Sequence, residues 1–114
     1  MEETGTVAAA EQSAATSITV DGLELTIDKE ASASWDAVML SRDIYKLRGK
    51  YAAQPDGDAQ AEIVLDAVAL MYEYVLLVTD LTREKIAAHL GTKASFAKVS
   101  EFLGHVMQEA RAKN

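Results

Sequence analysis

Apolar positions recur along this chain with two different periods. Between Ser17 and Ile27 the period is two: Ile18 and Val20 flank Thr19, and Leu23, Leu25 and Ile27 alternate with Glu24 and Thr26. Asp21-Gly22 separates the two runs, and this dipeptide is favoured in two-residue type I′ turns. Such a turn sets Val20 opposite Leu23 and Ile18 opposite Leu25, so all five hydrophobes share one face of a hairpin over 17–27. An isolated hairpin is marginal in water. Its apolar face is therefore expected to lie on helices, with its edges open for pairing.

Beyond the hairpin the period becomes helical. Ala37, Leu40, Ile44 and Leu47 predict the inner stripe of a helix over about 34–48, widened by Trp35, Val38, Met39 and Tyr45. Asp28, Ser32 and Ser34 are its candidate N-caps, and Gly49 its stop. Gly49–Asp58 reads as the longest internal loop, with Pro55-Asp56-Gly57 as turn chemistry and Asp58 as the cap of the next helix.

Ala59–Thr79 is the most apolar run of all. Ile63, Ala67, Leu70, Tyr74 and Leu77 form one stripe; Val64, Val68, Met71, Val75 and Val78 form a second. Leu65, Tyr72 and Leu76 carry the apolar surface further round, and Glu62, Asp66 and Glu73 leave only a narrow charged strip. A surface helix normally shows one apolar face. This one, over 59–78, is expected to be central and covered by other elements or by a partner. A short helix over 82–90 follows, capped by Thr79 or Thr82 and closed by Gly91. The last, over 95–111, has Ser95 as cap and a stripe of Phe96, Val99, Phe102, Leu103, Val106, Met107 and Ala110. Gly104 interrupts it at a cost of roughly 1 kcal/mol relative to Ala. Met1–Thr16 is small and polar and reads as a disordered tail. The expected architecture is a single α+β, mostly α domain over 17–111, an N-terminal β-hairpin packed on a bundle of about four helices around a central apolar helix.

Charge and composition narrow the function. A chain of 114 residues suffices for one hydrophobic core. A formal net charge of −7 argues against unaided binding to nucleic acid and suits a neutral or basic partner. The absence of cysteine excludes a disulfide framework and a Cys-based zinc site. The N-terminus lacks the basic-then-apolar layout of a signal peptide. The central run has the length of a membrane span, yet Glu62, Asp66, Glu73 and Asp80 are expensive in hydrocarbon, so no membrane contact is expected.

Catalytic patterns are missing. His89 and His105 fall on different helices with no H-E-x-x-H spacing. His89 sits in a last turn, where the helix dipole favours a positive imidazole, and His105 sits on a polar face. Asp56 and Asp58 lack the calcium-loop spacing. Gly91-Thr92-Lys93-Ala94-Ser95 is not a phosphate loop. Glu62, Asp66 and Glu73 read as a solvated helix strip rather than an acid–base pair. No catalytic residue, metal ligand or cofactor is expected.

The order of parts, ITVDGLELTID, SWDAVMLSRDI, a long apolar helix, LTREKIAAHLG and SFAKVSEFLGHVMQEA, resembles the tail assembly chaperones of long-tailed bacteriophages and prophages. In that family a short "V-x-G-x-x-x-x-I-D" opening precedes a Trp-Asp helix; here those positions are Val20, Gly22, Ile27 and Asp28, then Trp35 and Asp36. The likeness covers about Ile18–Ala110, and the loop after Gly49 departs from it. The resemblance implies a non-enzymatic protein of the bacterial host cytoplasm. Its partner would be the tape measure protein, a long hydrophobic helical chain kept soluble while tail tube protein polymerises around it. Such a task needs an exposed apolar stripe or groove. Trp35, Tyr45, Tyr72, Tyr74 and Leu76 are the candidate contacts. The competing expectation is a small homo-oligomeric interaction or adaptor domain, with the spare apolar surface of the central helix closing a dimer.

Overall fold

The computed structural model describes residues 15–113. The tail expected over 1–16 lies outside them, except for Ala15 and Thr16, which open the first strand. The chain is mostly helical with an N-terminal antiparallel hairpin, an α+β architecture dominated by α.

Strands β1 (Ala15–Val20) and β2 (Leu23–Asp28) pair Val20 with Leu23 and Ile18 with Leu25, in the register the alternation demands. Asp21 and Gly22 have φ of 51° and 86°, and two positive φ values are what a type I′ turn requires. Ile18, Val20, Leu25 and Ile27 are buried, and Leu23 packs against them. The expectation of open edges fails at Thr26 and Ile27 of β2. Asp80 N–H donates to Thr26 O (3.0 Å), Thr26 N–H donates to an Asp80 carboxylate oxygen (2.8 Å), and Thr79 bridges to Ile27. The chain's own later segment thus occupies the Thr26 pairing groups that an edge strand would otherwise present.

Helices follow in the order α1 (Lys29–Ser32), α2 (Trp35–Ala53), α3 (Gly57–Val78), α4 (Arg83–Leu90) and α5 (Phe96–Lys113). The single turn α1 is an addition to the expected four, capped by Asp28, whose side chain accepts from Ala31 N–H at 3.1 Å. Ser34 caps α2, Thr82 caps α4, and the Ser95 hydroxyl accepts from Lys98 N–H at the start of α5.

Two boundaries differ from expectation. Helix α2 runs past Gly49 to Ala53. An exposed glycine costs a helix only about 1 kcal/mol, and the Gln60 side-chain amide donates to the carbonyls of Tyr51 (3.3 Å) and Gln54 (2.8 Å), satisfying groups a helix end leaves free. The expected long loop thus shrinks to Gln54–Asp56. Asp56, not Asp58, caps α3 by accepting from Ala59 N–H at 3.0 Å.

Helix α3 is central, and its buried residues, Val68, Tyr74, Val75 and Val78, lie in its C-terminal half. Tyr74, Val75 and Val78 join Leu25 and Ile27 of β2, Ile86 of α4, and Phe102, Leu103 and Val106 of α5 in one core. In the N-terminal half, Ile63 and Val64 are half-buried and Leu65 is exposed. No helix of the described residues is long and apolar enough to cross a membrane.

Candidate functional site

Helix α2 has two apolar faces. Ala37 and Ile44, both buried, and Leu40 and Leu47, half-buried, form the face that looks inward. Trp35, Val38 and Tyr45 do not widen that stripe, as periodicity alone suggested. They point outward and are 74%, 51% and 76% exposed. Positions 35, 38, 42, 45, 49 and 52 follow the alternating three-and-four spacing of a helix–helix seam. They hold Trp35, Val38, Arg42, Tyr45, Gly49 and Ala52, and every one is exposed. The fold gives this second stripe no neighbour among the described residues that would bury it.

The seam is basic. Arg42 lies within it, with its guanidinium 3.3 Å from the Asp43 carboxylate. By the same heptad spacing Lys46 flanks one side and Arg48 the other. Helix α2 contains four cations (Arg42, Lys46, Arg48, Lys50) and two carboxylates (Asp36, Asp43), in a chain whose net charge is −7. Past Arg48 the surface falls into a groove of about 460 Å³ between α2, α3 and α5, lined by Ile44, Ala67, Met71, Gly104 and Met107, with Arg48 and Arg111 beside them.

The remaining sequence candidates sit elsewhere. Tyr74 is buried in the core at 4% exposure. Leu76 is half-buried and packs against that core. Tyr72 is half-buried, with the Arg83 guanidinium 4.8 Å from its ring centre, a cation–π contact that ties α4 to α3. The structure therefore brings Trp35 and Tyr45 together on one surface and separates the other three from it. Sequence reading missed Arg42, Val38 and the flanking cations as a unit. Their signal was the three-and-four spacing, hidden because the inner stripe of the same helix has it too.

A second polar cluster forms at the hairpin turn. His89 Nε2–H donates to the Asp21 carbonyl (2.9 Å), and His105 Nδ1–H donates to the Asp21 carboxylate (2.9 Å). His89 also stacks at a tilt on Phe102, with ring centres 5.7 Å apart. The hydrogen bond to Asp21 raises the His105 pKa above its ordinary 6.5, opposed by desolvation and assisted by the charges of Asp21 and Glu101. Two histidines from different helices thus clasp one turn. The carboxylates Glu62, Asp66 and Glu73 are all exposed along α3.

No protein-family model, curated protein or solved structure matches this chain.

Proposed function

We propose that this protein is a non-enzymatic phage tail assembly chaperone that binds the hydrophobic, helical tape measure protein during tail morphogenesis. One observation carries the reading: a helix already packed along one face holds Trp35, Val38 and Tyr45 outward along a second face with helix-pairing spacing. Large aromatics are expensive to leave in water, and an exposed apolar stripe of this kind marks an interaction surface. An amphipathic helix laid along it would bury them. The likeness of the hairpin, the Trp35-Asp36 opening and the late helix to that chaperone family supplies the identity of the partner. On this reading the protein works in the cytoplasm of the bacterial host, and tail tube protein is a further contact.

Co-expression with the tape measure protein of the same genome tests it. The expected result is soluble tape measure that co-purifies with this chain, and loss of that solubility with Trp35→Ala plus Tyr45→Ala while the variant itself stays folded. Insoluble tape measure alongside free, folded chain overturns the reading.

A further inference from the structure

We infer that the outer face of α2 selects a partner helix bearing carboxylates beside its apolar seam, and that it rejects a second copy of this chain. The inference rests on the reading of that face as a helix-docking surface and adds the chemistry of the occupant.

The argument is one of charge. Flanking positions of a helix pair set partner choice through the ion pairs they form across the seam. On α2 those positions carry Lys46 and Arg48, and the seam itself carries Arg42. Asp43 forms its ion pair with Arg42 and lies in one shallow groove with Lys46, Lys50 and Asp66, and Asp36 lies at the opposite end of the stripe from Lys46 and Arg48. The surplus on the helix is two positive charges. A two-fold pairing of α2 with its own copy would bring Arg42 toward Arg42 and set basic flanks against each other. Like charges brought together across an interface are penalised. A helix with Glu or Asp at its flanking positions instead meets Lys46 and Arg48, with Arg42 held beside Asp43 in the seam, and leaves Trp35, Val38 and Tyr45 against apolar side chains. The overall charge of −7 would repel such a helix at long range. Over distances beyond about 10 Å that repulsion is screened at physiological salt, so the basic face governs the docked state.

Trp35 is the chain's single tryptophan, so its fluorescence reports this face alone. The probes are two designed helical peptides of about three heptads, each with Leu along the seam, one with Glu and the other with Lys at the flanking positions. The full chain is titrated with each. The expected result is a shift of Trp35 emission to shorter wavelength, with the Glu peptide binding roughly three- to tenfold more tightly than the Lys peptide from exposed charge pairs with Lys46 and Arg48. That preference should vanish in Arg42→Gln/Lys46→Gln/Arg48→Gln and fade in high salt. Equal binding of both peptides overturns the charge selection and leaves the docking face standing. No spectral change with either peptide overturns both. A blue shift that grows with the chain's own concentration, together with a doubled mass in sedimentation, overturns the inference by giving the face to a second copy.

Discussion

The two halves of α3 make an instructive pair. Both are dense in aliphatic residues, and both continue the same stripes. At the C-terminal end Val75 and Val78 are wholly buried beneath the hairpin and α5. At the N-terminal end Leu65 is 56% exposed, and Ile63 and Val64 are only partly covered. The difference lies in what the rest of the chain places over each half. Apolar periodicity states which residues gain from cover; topology decides which receive it.

The sharpest test of that contrast is a pair of truncations. Leu103→Ala, at a fully buried site of α5 in the core shared with the covered half, should cost about 2–5 kcal/mol in urea unfolding. Leu65→Ala should change stability by less than roughly 0.5 kcal/mol. Equal losses would mean that the N-terminal half of α3 is as well packed as the other.

A smaller effect is expected at the junction that closes the covered half. The buried Thr79 hydroxyl donates to Val75 O (2.6 Å) and accepts from Leu81 N–H (3.1 Å). Thr79→Val keeps the shape and strands the Leu81 N–H, a loss of about 1–3 kcal/mol. A neutral result would show that water reaches this site.

Gly104 of α5 faces the groove between α2, α3 and α5. A Cβ there would stand 3.9 Å from Met71 Cε, an ordinary contact, so close packing does not require the glycine. Gly104→Ala should raise stability by about 0.5–1 kcal/mol through helix propensity and reduced freedom of the unfolded chain. Thermal melts would register it, and a drop would point to a groove that must stay open.

The smallest effect is electrostatic. The raised His105 pKa means that the folded state holds its proton more tightly than the unfolded one. The contribution is fully present below pH 6.5, the ordinary value, and is lost as pH rises through the raised folded value. His105→Gln should flatten that part of the stability–pH curve, and an unchanged slope would assign it to other groups.

Much of this fold was legible because local chemistry fixed it. Alternation together with Asp21-Gly22 leaves one hairpin register, since a slip of one residue would turn every hydrophobe outward. The cap Ser95 follows from a hydroxyl placed one residue before helical periodicity begins, and Ser34 and Thr82 are among the caps the sequence offers for their helices. What stayed hidden depended on distant partners. The continuation of α2 through Gly49 relies on Gln60 reaching back to Tyr51 and Gln54. The meeting of His89 and His105 at Asp21 spans most of the domain and has no local signature. Of the candidate contacts, Trp35 and Tyr45 reach the surface while Tyr74 does not, because two apolar stripes on one helix cannot be ranked without knowing where its neighbour lies.

The clasp between Thr26 and Asp80 also sets an order of events in time. The hairpin and the α2–α3 pair each join segments close in the chain, and such contacts form early. The clasp joins residues 54 apart, so its loop-closure entropy must be met before it rewards the chain. On that ground it is expected to form late in folding. Weakening it with Asp80→Ala should quicken unfolding and leave the refolding rate nearly unchanged.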